Sequence, residues 1–193
     1  MKKVLSLVLV TILLLSGLFV LTGCGEKNTG VETSTTLGDI KITAKVPGNE
    51  EGQPTYTFTT EKPENTIYFT GSTYLTGEKV NIAFESKKVL GTDSKTYSDM
   101  LNFIKSDSYT GTVKIKEELK IGDRDAIKTN FYYGANNDSG LYGYRYYINI
   151  DDVTAGQYME VVVVKGDFSN GEIDAYMSDE AVSAIVNSLK FSK

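Results

Sequence analysis

One thiol and no imidazole set the chemistry open to this chain of 193 residues. Cys24 is the only cysteine and histidine is absent. Zinc sites built on His or Cys are therefore excluded, as are Ser-His-Asp and Cys-His nucleophilic centres. No Ser-x-x-Lys, phosphate-cradling glycine loop or EF-hand spacing occurs, including around Asn136-Asn137-Asp138-Ser139-Gly140 and Ile150-Asp151-Asp152. Carboxylate-pair chemistry survives, because there are 25 acids to supply it. Two facing carboxylates about 5–10 Å apart could cleave a glycosidic bond. These acids are scattered without a motif, however, and scattered acids ordinarily form a solvated surface. The expectation is a protein that is not an enzyme and holds neither cofactor nor metal.

Binding chemistry is better represented. Tyr132, Tyr133, Tyr142, Tyr144, Tyr146 and Tyr147 bunch on two neighbouring candidate strands. Tyrosine gives a partner contact area and a hydroxyl at low entropic cost, but the same residues can pack a core across strands. Alternation along Leu141–Ile150 separates the two roles. Tyr142, Tyr144, Tyr146, Ile148 and Ile150 share one side, which belongs under a helix. Leu141, Gly143, Arg145, Tyr147 and Asn149 share the other, more polar side. Arg145 is one of only two arginines, the other being Arg124. Arg145 and Tyr147 are therefore the candidate binding surface, since Arg and Tyr are enriched where binding energy concentrates. On this reading Arg145→Ala leaves stability nearly unchanged, whereas Tyr146→Ala does not.

The lone cysteine has a different role. Met1-Lys2-Lys3 is followed by an apolar run from Val4 to Leu21, the layout of an export signal. Its 18 residues would reach roughly 27 Å as a helix, so length alone leaves a retained membrane anchor open. Leu21-Thr22-Gly23-Cys24 decides the matter: it resembles the lipobox of bacterial lipoproteins. The resemblance implies a diacylglyceryl group on the Cys24 sulfur and cleavage by signal peptidase II between Gly23 and Cys24. Two acyl chains suffice for stable anchoring, so the protein would sit on the extracytoplasmic face of the cell membrane.

Removal of residues 1–23 takes away Lys2 and Lys3 and no acid, leaving 18 bases against 25 acids and a formal charge of −7. A net acidic chain with no basic run argues against nucleic acid and against extra electrostatic attachment to anionic lipid. Residues 24–37 are short of apolar side chains and are expected to form a flexible tether, with order beginning near Gly38. Residues 38–193 then form a single domain.

Within it, period-two runs predict strands: Asp39–Val46, Thr55–Thr60, Thr66–Thr70, Ser72–Thr76, Val80–Ser86, Thr112–Lys120, Asp125–Tyr133, Leu141–Ile150 and Gln157–Lys165. Tyr97, Met100, Leu101 and Ile104 fall at helical spacing, as do Val182, Ile185, Val186 and Leu189. The last of the strands is apolar on both sides and so requires cover on both faces. One helix per face supplies it. The expected fold is α+β, an antiparallel sheet flanked by helices.

The order of elements from about residue 90 onward resembles the PsbP-like superfamily, which includes envelope lipoproteins of the DcrB and LpqN kind. The likeness rests on helix Tyr97–Lys105, the hairpin around Gly122 and Ala126, the Tyr-rich and Val-rich strand pair, and the Ser188-Leu189-Lys190-Phe191 ending. It implies an α/β/α sandwich and a non-catalytic protein that binds another envelope protein. A carboxylate-dependent hydrolase of envelope polymers and a small-ligand carrier are the alternatives.

Overall fold

The computed structural model describes residues 30–63, 71–77, 80–88, 97–99, 116–132, 141–165 and 180–193. Ten strands dominate it, arranged in two antiparallel sheets. β1 (Val31–Leu37), β2 (Ile40–Val46) and β10 (Lys190–Ser192) form the smaller sheet, in the order β1-β2-β10. The larger contains β3 (Thr57–Thr59), β4 (Thr73–Thr76), β5 (Val80–Lys88), β6 (Lys116–Ile121), β7 (Arg124–Tyr132), β8 (Leu141–Asn149) and β9 (Gln157–Lys165). Its order is β3-β4-β5-β9-β8-β7-β6. Helix α1 (Glu180–Asn187) and the helical residues 97–99 complete the described secondary structure.

This overturns the expected α+β sandwich. The described residues are mostly β, and among them the cover on one face of the main sheet comes from a second sheet together with α1. Two segments account for the difference. Val31–Leu37, assigned to a tether, pairs residue for residue with β2, from Val31↔Val46 to Leu37↔Ile40. Lys190–Ser192, expected to close the chain after a helix, adds to the other edge of β2. Polar β-branched residues are tolerated in β1 because it is an edge strand with one side in solvent: its alternate residues are half-buried and exposed.

Two Gly-Asp turns fix the registers. Gly38 and Gly122 have φ of 59° and 62°, which a side chain resists, and each opens a two-residue hairpin loop. Between the sheets lies one continuous core. Ile40, Ile42, Ala44 and Val46 from β2 meet Ile82, Phe84, Val161, Val163 and Ile148 from the large sheet. The stripe Val182, Ile185, Val186 and Leu189 is buried in the same core, as its spacing predicts. Each such side chain contributes roughly 1.5–3 kcal/mol by leaving water. On the far face of the large sheet Tyr74, Ala83, Val162 and Val164 form a second cluster, so β9 is covered on both sides.

Arg124 ties the sheets together. Its guanidinium forks onto the Asp152 carboxylate and also donates to the Asn149 and Phe191 carbonyls, both at 3.1 Å. The hydrogen bonds from Arg124 hold the Asp152 carboxyl below its ordinary pKa. Lysine lacks the planar fork that serves two carboxylate oxygens and two carbonyls at once, which explains an arginine here in a lysine-rich chain.

Candidate functional site

Alternation along β8 follows the sequence reading. Tyr146 and Ile148 face the inter-sheet core, and Tyr144 is packed at its edge with the Lys128 ammonium 4.2 Å from its ring centre. Arg145 and Tyr147 point to the opposite face. That face is not a free surface at either residue. Tyr147 is only 4% exposed. Its ring tilts against Tyr158 at 5.9 Å, and its carbonyl accepts a 2.8 Å hydrogen bond from the buried Tyr97 hydroxyl.

Arg145 is engaged as well. Its Nε lies 3.0 Å from Oε1 of Glu160, an ion pair without the alignment of a hydrogen bond. Glu160 sits on the adjacent strand β9 and is 7% exposed. A carboxylate so buried needs compensating cations. A second comes from Lys87 on β5, with Nζ 2.6 Å from Glu160 and 3.2 Å from Glu85. Burial alone would lower the Lys87 pKa, but the Glu160 and Glu85 carboxylates outweigh it and raise it above the ordinary value. The chain Arg145–Glu160–Lys87–Glu85 thus crosses the three central strands and fastens them.

A stability consequence follows, opposite to the sequence expectation. Arg145→Ala removes one of the two cations described beside buried Glu160 and should cost about 1–2 kcal/mol in denaturant unfolding. In a Glu160→Gln background the same change should cost much less. Equal costs in the two backgrounds would show that the pair does not hold the strands.

The concave feature on this side of the sheet lies near its β6–β7–β8 end. A depression of about 430 Å³ is lined by Tyr97, Ser98, Glu118, Asp125, Asn149 and Asp151, among others. Burial raises the Tyr97 hydroxyl pKa, and the charges of Asp125 and Glu118 raise it further. Tyr97 is therefore a hydrogen-bond donor and not a base or nucleophile near neutral pH. Asp125 pairs with Lys120 at 2.6 Å, and Asp151 accepts the Gly156 backbone N–H at 3.0 Å to hold the β8–β9 turn. Among the described residues no three or more Asp, Glu, Cys or His are grouped to hold a metal ion. The carboxylates of Glu118, Asp125 and Asp151 at the wall of the depression suit a cationic or hydrogen-bonding group.

Sequence reasoning did not single out this depression. Glu118, Asp125 and Asp151 are brought together by strand pairing and a turn, and no local spacing marks them. Cys24 and Gly23, the expected lipidation and cleavage residues, lie outside the described residues, as do Met100, Leu101 and Ile104 of the expected helix and the expected strand Thr66–Thr70. Among the described residues no helix is long and apolar enough to cross a membrane. Comparison with known proteins yields no matching family model, no matching curated protein and no matching solved structure.

Proposed function

We propose that the chain is a lipoprotein anchored on the extracytoplasmic face of the cell membrane, acting as a non-catalytic interaction or assembly module of the envelope. The observation that carries this reading is Leu21-Thr22-Gly23-Cys24, with the only thiol of the chain, directly behind an apolar run that opens on two lysines. The domain's side chains fit the binding half of the reading. Both arginines serve structural ion pairs, Asp125 pairs with Lys120, and Asp151 holds the Gly156 turn. An envelope protein presenting a basic group would suit the acidic wall that Glu118, Asp125 and Asp151 give the depression. The second reading is a hydrolase of envelope polymers, which would need two of these carboxylates facing each other about 5–10 Å apart.

Crosslinking in intact cells followed by pull-down separates the two. A single envelope protein recovered with the wild type, and lost on Glu118→Lys, is the expected result. Release of soluble fragments from envelope polymer by the purified protein, abolished by Glu118→Gln, would overturn it.

A further inference from the structure

We propose that the outer face of the three-stranded sheet rests on anionic phospholipid headgroups and so sets the orientation of the domain on the bilayer. The proposal rests on the reading of Cys24 as the anchor. Alternation along β2 sends Ile40, Ile42, Ala44 and Val46 inward, which obliges Lys41 and Lys45 to point out, and both are exposed. Pairing with β10 sets Lys190 opposite Thr43 on the same outer face, with its side chain 68% exposed. Pairing with β1 sets Glu32 opposite Lys45, and this carboxylate lies 3.8 Å from Lys190. The other outward residues of β1 and β10 are Ser34, Thr36 and Ser192. Among the outward strand residues three ammonium groups thus stand against one carboxylate, with Asp39 exposed in the β1–β2 turn, in a chain whose formal charge after cleavage would be −7. No run of lysines foretells this, because Lys45 and Lys190 meet only through strand pairing.

Position in the chain supplies the occupant. Gly30 immediately precedes β1 and lies six residues after Cys24. Six residues reach at most about 20 Å when fully extended, so the sheet is held beside the surface to which Cys24 would be fixed. At that range lysines gain from the negative potential of an anionic leaflet once they come within a Debye length, about 8–10 Å, of the headgroups. The acidic remainder of the domain is repelled by the same potential. Attraction of one face and repulsion of the rest together select an orientation.

The test uses the lipidated full chain in vesicles. Because Cys24 would be alkylated, Ser34→Cys provides a single labelling site on the proposed face. Energy transfer from a fluorophore there to headgroup-labelled lipid is read in flotation-purified vesicles. Vesicles containing phosphatidylglycerol are compared with phosphatidylcholine alone. We expect transfer about twofold higher on the anionic vesicles, lost in high salt and in the Lys41→Glu/Lys45→Glu/Lys190→Glu variant. Equal transfer on both vesicle types, with protein floating on both, would overturn the orientation while leaving the anchor intact. Failure of the protein to float even on phosphatidylcholine would remove the anchor and the proposal with it.

Discussion

Gly143→Ala is expected to unfold the domain or to cost ~4 kcal/mol or more, placing it among the exceptional single substitutions. Gly143 lies in β8 opposite Val164 of β9, at the centre of the large sheet. A Cβ there would sit 1.8 Å from the Val163 carbonyl oxygen and 2.9 Å from its carbon. Both are backbone atoms of a strand bonded on its other side to β5, so no side chain can swing away to make room. Glycine in a strand interior is otherwise unfavourable, and close approach of a second backbone is a reason to keep it. Gly38→Ala is the useful comparison. Its Cβ would meet nothing within 4 Å, but φ is +59°, so the cost should be only about 1 kcal/mol of backbone strain. Denaturant midpoints of the two variants decide the matter. Equal, small shifts would mean that β8 and β9 do not approach as described.

Tyr146→Ala should cost about 3 kcal/mol, in the range of aromatic truncation in a packed core. Tyr146 is 7% exposed, belongs to the inter-sheet core and stands opposite Val161 of β9. Burial also raises the pKa of its hydroxyl. Tyr144, two residues earlier on the same side, is only half-buried under Lys128, and its truncation should cost about a third as much. The ordering of the two variants in equilibrium unfolding is the check. A silent Tyr146→Ala would place the core on the wrong side of β8.

Much of the large sheet was legible in the sequence because its strands carry a strong period. Gln157–Lys165 and Val80–Lys88 are rich in β-branched or aromatic residues, and Tyr146 and Tyr147 fall on opposite faces as alternation requires. The α1 stripe was legible for the same reason. The small sheet was not. Val31-Glu32-Thr33-Ser34-Thr35-Thr36-Leu37 reads as a polar linker by composition. Its alternation of half-buried and exposed residues becomes visible only when β2 is placed beside it. β10 has three residues, too few for any period to show.

The surroundings of Arg145 and Tyr147 were not legible for a related reason. Arg145 and Tyr147 do lie on the more polar side of β8, but Tyr147 is buried there and Arg145, its side chain 30% exposed, is ion-paired. The polarity of Arg145 answers to buried Glu160 on the neighbouring strand. A sequence shows which residues share a face and leaves open which acid waits 3.0 Å away across the sheet. The lysines of the small sheet show the same limit in reverse. Dispersed in sequence, they suggested no attraction to anionic lipid, and pairing collects them.

The central claim concerns Cys24, and incorporation of radiolabelled palmitate into the expressed protein tests it most directly. The wild type should take up label and appear as a mature chain beginning at Cys24. Cys24→Ala should take up none and retain residues 1–23, because no other thiol can accept the diacylglyceryl group. Equal labelling of Cys24→Ala and wild type would contradict the account.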